Sequence, residues 1–185
     1  MKSNIQTNFT KIDIKDLALF VHKHLEDSGI KSVLVGGARV SIYTENRYQS
    51  YDLDFVTHSD LKKIRKVLAE IGFHEKDRYF THPECPYLIE FCTPPVAVGN
   101  EPVKDYQRIE SPIGTLELLT PTDCVRDRLS HYYHGGDAQG LKQALMVARS
   151  HKVDLQDIKE WSRKEKASSK YLKFQNELHS SKKDS

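Results

Sequence analysis

Apolar positions recur along this chain in two periods, and the switches between them mark out the elements. Leu17, Phe20, Val21 and His24 or Leu25 return at helical spacing. The pattern predicts an amphipathic helix from Ile14 to Ser28, stopped at Asp27-Ser28-Gly29 and packed as a lid over the first strand. His22 and His24 fall on different sides of it and read as surface residues. Val33-Leu34-Val35 then forms a short strand, Gly36-Gly37 a turn, and a helix-compatible segment leads to a second strand at Asp52-Leu53-Asp54-Phe55-Val56. Ser59 or Asp60 caps a helix to about Ile71, with Leu61, Ile64, Val67, Leu68 and Ile71 inward and Gly72 at its end.

From Phe73 to Phe91 short apolar runs alternate with turn residues, which predicts a β-hairpin whose second strand carries Glu90. Residues 93–104 read as a Pro- and Gly-containing loop beside the active site. Tyr106 to Ile109 and Gly114 to Leu119 pair around a Ser111-Pro112 turn. Thr120 caps a helix that has Pro121 in its first position and Asp123 in its first turn, running to about Tyr133. Gly135-Gly136 breaks it, and a further helix spans Asp137 to about Ser150. A last helical region from about Asp154 docks Trp161, Tyr171 and Phe174 on the body, with a flexible tail from about residue 176. The order of elements predicts an α+β (α/β) fold: a mixed sheet flanked by helices over residues 1–119, and a helical extension over 120–185.

Composition narrows this little. At 185 residues, 38% hydrophobic and 29% charged, the chain suits one ordinary globular domain with an extension, and no apolar run reaches membrane-spanning length. The first 16 residues lack the apolar core of a signal peptide, so a cytoplasmic protein with no membrane partner is expected. A net charge of +2 does not imply nucleic acid. Lys62, Lys63, Arg65 and Lys66 read as a solvated helix face, although basic residues among aromatics in the last helical region leave RNA binding open. Cys85, Cys92 and Cys124 form an odd set with no C-x-x-C pair, which fits reduced thiols. A zinc site from His82, Cys85 and Cys92 matches no common spacing.

The chemistry concentrates between Ser32 and Thr57. On a strand Asp52 and Asp54 share a face while Leu53 and Phe55 take the other. Two like charges so close call for a cation, and a pair of carboxylates suits Mg²⁺ together with waters and phosphates. Gly36 and Gly37, lacking Cβ atoms, let the backbone approach a phosphate, and the N–H groups opening the next helix favour anions. Glu90, between Ile89 and Phe91, is out of place in a strand unless it faces a polar cleft. Arg126, Arg128, His131, His134, Asp137 and Lys142 gather around the Gly135-Gly136 break. Two roles stay open there: Arg128, His131 and Asp137 contacting the base, ribose or γ-phosphate of a nucleotide, or Arg128 and Asp137 forming a structural ion pair.

The apolar strand, Gly36-Gly37, helix and Asp52-Leu53-Asp54 together resemble the nucleotidyltransferase fold of the DNA polymerase beta superfamily. That group includes minimal nucleotidyltransferases, CCA-adding enzymes and AbiEii-like toxins. The segment from Thr120 to Arg149 is similar to the C-terminal helical part of bacterial nucleotidyltransferase-like proteins. The resemblance implies that Gly36 and Gly37 hold the phosphates of a nucleoside triphosphate, with Arg39 or Ser41 assisting. It implies that Asp52 and Asp54 bind Mg²⁺ or Mn²⁺, with Glu90 as third carboxylate. The implied activity is metal-dependent transfer of a nucleoside monophosphate to a hydroxyl on RNA, protein or a small molecule, with a toxin–antitoxin role and an antitoxin or other protein partner among the outcomes. The chain departs from the family pattern in its 14-residue spacing between Gly37 and Asp52, in its second glycine and in Tyr51 before the first aspartate. A catalytically inactive module binding nucleotide, metal or protein is the alternative. A metal-dependent hydrolase is disfavoured because no adjacent His-Asp pair occurs.

Overall fold

The computed structural model describes residues 7–180. The first six residues, part of the stretch read for a leader, and the last five of the expected tail lie outside the described residues. In chain order the elements are α1 (Ile14–Asp27), β1 (Val33–Val35), α2 (Ala38–Tyr43), β2 (Asp52–Val56), α3 (Leu61–Glu70), β3 (His74–Lys76), β4 (Tyr79–Thr81) and β5 (Leu88–Cys92). They continue with β6 (Ala97–Val98), β7 (Glu101–Pro102), β8 (Tyr106–Glu110), β9 (Thr115–Leu119), α4 (Pro121–Gly135), α5 (Ala138–Ser150), α6 (Leu155–Lys164) and α7 (Ser168–Ser180). The seven-stranded sheet has the order β3-β4-β5-β2-β1-β9-β8, and β6 and β7 form a separate ribbon. The α+β class expected from the order of elements is what the chain adopts.

Two compact units divide the chain, and they interleave in sequence. The first comprises residues up to Ala38, 49–94 and 108–117; the second comprises 39–48, 95–107 and 118 onward. In the first unit the sheet is mixed: β1 runs antiparallel to β2, β2 parallel to β5, and β3, β4 and β5 antiparallel in succession. Leu53 and Phe55 of β2, Phe80 of β4 and Ile89 of β5 are buried on one face. There Phe55 stacks on Phe91 at 6.0 Å between ring centroids and Phe80 meets Phe91 edge-on at 5.7 Å. Helices begin where side chains satisfy their first N–H groups. Asp13 accepts from the Asp16 N–H at 2.8 Å to open α1, and Asp60 from the Lys62 N–H at 2.9 Å to open α3.

Several expectations needed correction. The stretch from Phe73 to Phe91, expected as a hairpin, holds three strands with Glu90 in the third, because Asp77, at φ +57°, turns the chain tightly between β3 and β4. The expected 93–104 loop contains the β6–β7 ribbon. The last helical region is two helices, broken near Lys166 at φ +57°, and helix extends to Ser180 across the start of the expected tail. His22 is 2% exposed, with its Nε2 3.1 Å from the Ser32 carbonyl, since it shares the buried stripe of Ala18 and Leu25 at i−4 and i+3. Leu61, expected inside, is exposed.

In the second unit, Thr120 accepts from the Asp123 N–H at 3.1 Å and Pro121 takes the first helical position, so α4 starts as its residues direct. Trp161 stacks on Tyr133 at 5.6 Å, and the Arg126 guanidinium lies over the indole at 5.2 Å. Trp161, Tyr171 and Phe174 are all buried, so these aromatics dock rather than offer a stacking surface for bases. Trp161→Ala should therefore cost about 3–5 kcal/mol of stability, measured by urea unfolding.

Candidate active site

Strand register brings the acidic residues together. Asp54 of β2 pairs with Glu90 of parallel β5, and Glu90 pairs with Tyr79 of antiparallel β4. On the other side Asp54 pairs with Val35 of β1. Partners in register point to the same face. Tyr79, Glu90 and Asp54 thus form a row across three strands, on the face opposite the Phe55–Phe80–Phe91 cluster. Asp52 and Cys92 lie on that face too, two residues along from Asp54 and Glu90.

Gly36 completes the row. Its φ is +68°, a region costly for residues with a Cβ. A Cβ built there would lie 1.7 Å from Asp54 Oδ2 and 2.7 Å from its Cγ, closer than any non-bonded contact allows. The Asp54 carboxylate therefore packs directly against the turn that leaves β1, and glycine is required on both conformational and steric grounds.

One cation sits on this acidic face. Arg78, from the turn between β3 and β4, lies 3.6 Å from Glu90 Oε1 through its Nε. Its guanidinium lies over the Tyr79 ring at 4.8 Å and donates to the Tyr79 hydroxyl. That hydrogen bond, then the charges of Glu90 and Asp52, raise the Arg78 pKa. Burial, with the fields of Asp54 and Glu90, pushes the Cys92 thiol up. Among the described residues no three His, Cys, Asp or Glu side chains converge as a metal site. The donor set does fit a hard cation: Asp52, Asp54 and Glu90 supply carboxylate oxygens on one face, and Gly36 removes the side chain that would obstruct it. His82 of the zinc alternative packs on Phe9 and Phe73, and its Nδ1 accepts from the Glu84 N–H at 3.1 Å.

No protein-family model matches the sequence, and no curated protein matches it significantly. Solved structures do match its fold. An antigenic nucleotidyltransferase-like protein from Paracoccidioides brasiliensis superposes with a TM-score of 0.55 at 14% identity, covering 72% of this chain and 74% of that one. The antibiotic-resistance factor ANT(2'')-Ia superposes with a TM-score of 0.51 at 9% identity, covering 94% of this chain and 99% of that one. The chain has the nucleotidyltransferase fold. At these identities the likeness extends to the fold alone.

In this nucleotidyltransferase fold Gly37 lies in the first unit, and the other remaining sequence candidates belong to the second. Arg39 is 1% and Ser41 0% exposed, so neither offers accessible surface to a ligand. Arg39 Nη2 donates to Asp127 Oδ2 at 2.7 Å, and Arg128 donates to the same oxygen. Arg128 also reaches Gln143 Oε1 at 3.3 Å and His131 Nε2 at 3.3 Å. The Arg128–Asp137 ion pair considered from sequence does not form: Asp127 takes Arg128, and Asp137 caps α5 by accepting from the Gln139 N–H at 2.8 Å. Burial opposes ionisation of Asp127, but the Arg39 and Arg128 guanidinia outweigh it and hold its carboxyl at about 2. Sequence reasoning missed Asp127, Arg78 and Tyr79. Asp127 stands between Arg126 and Arg128, and Arg78 follows a turn-forming Asp, so each carried a local signal.

Gly36→Ala should lower stability by at least about 2 kcal/mol in urea unfolding, because the turn and Asp54 must both move. Asp127→Asn should cost about 3 kcal/mol near pH 7 by leaving Arg39 buried without its carboxylate. The Asp127 pKa is depressed on folding, from 3.8 to about 2. Its stabilisation is therefore complete above the unfolded pKa and lost as pH falls toward 2. The gap between wild type and Asp127→Asn should close over that range, as read by thermal melts at stepped pH.

Proposed function

We propose that this protein is a metal-dependent nucleotidyltransferase acting from the carboxylate face of its first unit. The observation that carries the reading is the register of Asp54 with Glu90, beside a glycine whose Cα the Asp54 carboxylate overlies. Asp52 and Asp54, joined by Glu90, would hold Mg²⁺ or Mn²⁺. Gly36 and Gly37 would admit the phosphates of a nucleoside triphosphate to the backbone. When bound, the cation supplies charge neutralisation at the phosphates and acidifies the acceptor hydroxyl. The acceptor oxygen forms a bond to the α-phosphorus, the bond from that phosphorus to the bridging oxygen breaks, and pyrophosphate leaves with the electron pair. The hydroxyl proton passes to a carboxylate of this face. Most of the acceleration comes from alignment and electrostatics.

The acceptor is a hydroxyl on a small molecule, RNA or protein. The end-to-end match to an antibiotic-resistance factor supports starting with small molecules, antibiotics among them. An AbiEii-like toxin, with an antitoxin partner, is the corresponding reading for an RNA or protein acceptor. Among the described residues no helix is long and apolar enough to cross a membrane, which is compatible with work in the cytoplasm. A second reading, a catalytically inactive module that binds nucleotide or a partner, is favoured by one observation: Glu90 is engaged by Arg78.

Incubation with each α-labelled nucleoside triphosphate and Mg²⁺ or Mn²⁺ should transfer label to small-molecule, RNA or protein fractions. Asp54→Asn should reduce transfer by at least about a hundredfold. Equal transfer by the variant would remove Asp54 from the chemistry. Metal-dependent nucleotide binding without transfer to any fraction would establish the binding module.

A further inference from the structure

Beyond the ligand set itself, the acidic face carries a feature that neither its fold nor its sequence pattern assigns. Three carboxylates share the face, and one of them, Glu90, is paired with a guanidinium of the protein. Glu90 pairs with Tyr79 across the β4–β5 ladder, so the residue before Tyr79 emerges beside Glu90. That residue is Arg78, in the two-residue connection between β3 and β4. Its guanidinium has three engagements that point the same way: the Tyr79 ring beneath it, the Tyr79 hydroxyl, and Glu90 Oε1 at 3.6 Å. The side chain is 69% exposed, whereas that of Glu90 is 22% exposed. The cation can therefore leave toward solvent while the carboxylate stays on the face.

We infer that Arg78 is a resident counter-cation: it holds Glu90 apart from Asp52 and Asp54, and a divalent cation must displace it to complete the site. The inference rests on the metal-binding reading given above and adds to it a competition between two cations for one carboxylate. The guanidinium is exposed and sits 3.6 Å from the carboxylate, so the pair is weak and is a bias that a divalent cation overcomes rather than a lock. In the displaced state the guanidinium remains over Tyr79 or moves into solvent, and no bond is made or broken.

The test is Mn²⁺ binding without nucleotide, followed by the electron paramagnetic resonance signal of free Mn²⁺, for wild type, Arg78→Gln, Glu90→Gln and the double variant. Arg78 lies in an exposed turn, and circular dichroism and melts verify that each variant folds. Removing one positive charge adjacent to the site should tighten Mn²⁺ binding by about two- to fivefold. The gain should vanish when Glu90 is also replaced, because the competition is for that carboxylate. Equal affinities for wild type and Arg78→Gln would overturn the inference while leaving the metal site standing. Tighter binding that persists in the double variant would also overturn it, since Arg78 would then act as a general repulsive charge. No Mn²⁺ binding by wild type or Arg78→Gln would defeat the metal-binding reading itself, and the inference with it.

Discussion

A β-carbon at residue 36 would collide with the Asp54 carboxylate, and the acidic face of the first unit is built around its absence. The chain must leave β1 through φ +68° and at the same point admit the Asp54 carboxylate to within van der Waals distance of its backbone. The two requirements are separate, one on dihedral angles and one on space, and glycine alone meets both. Because Val35 and Asp54 are ladder partners, the turn and the carboxylate are fixed by the same pair of strands. Backbone hydrogen bonding and steric fit thus both act on the orientation of Asp54.

The opposite face explains why the carboxylates can be there at all. Phe55, Phe80 and Phe91 interlock across β2, β4 and β5, and with Leu53 and Ile89 they bury the odd-numbered positions of β2 and β5. A one-residue slip of either strand would put a carboxylate into that cluster and a phenylalanine into solvent, so the apolar face locks the polar one. Asp54 and Glu90 are then held on strands about 4.8 Å apart, and their repulsion is a cost that packing on the far side sustains.

Much of this was legible in the sequence, because it is local. Alternation at Asp52 to Val56, the glycine pair, and the caps at Asp60 and Thr120 each declare themselves within a few residues, and the structure has them where the pattern put them. What depends on pairing between distant segments was not legible. Whether Glu90 lay beside Asp54 required knowing that β5 runs parallel to β2 in that register. Arg39 looked like a phosphate ligand because it follows the glycines, but helix phase and a partner 88 residues away turn it into a buried ion pair with Asp127. His22 likewise looked exposed until its stripe was shared with Ala18 and Leu25. The hairpin was undercounted because a two-residue turn at Asp77-Arg78 leaves little polar sequence between strands.

The same charge argument governs the acidic face whether or not the protein catalyses transfer. Carboxylates near 4 Å apart repel by about 1 kcal/mol in water and about 4 kcal/mol where the effective dielectric is near 20. A row of them on a folded strand pair is therefore stabilised by a positive charge beside it. Arg78 supplies such a charge at Glu90, at the edge nearest β4. On the metal-dependent reading proposed above, two aspartates on one strand face, with a carboxylate-bearing neighbour and a glycine beside them, are the donor types that suit a divalent ion.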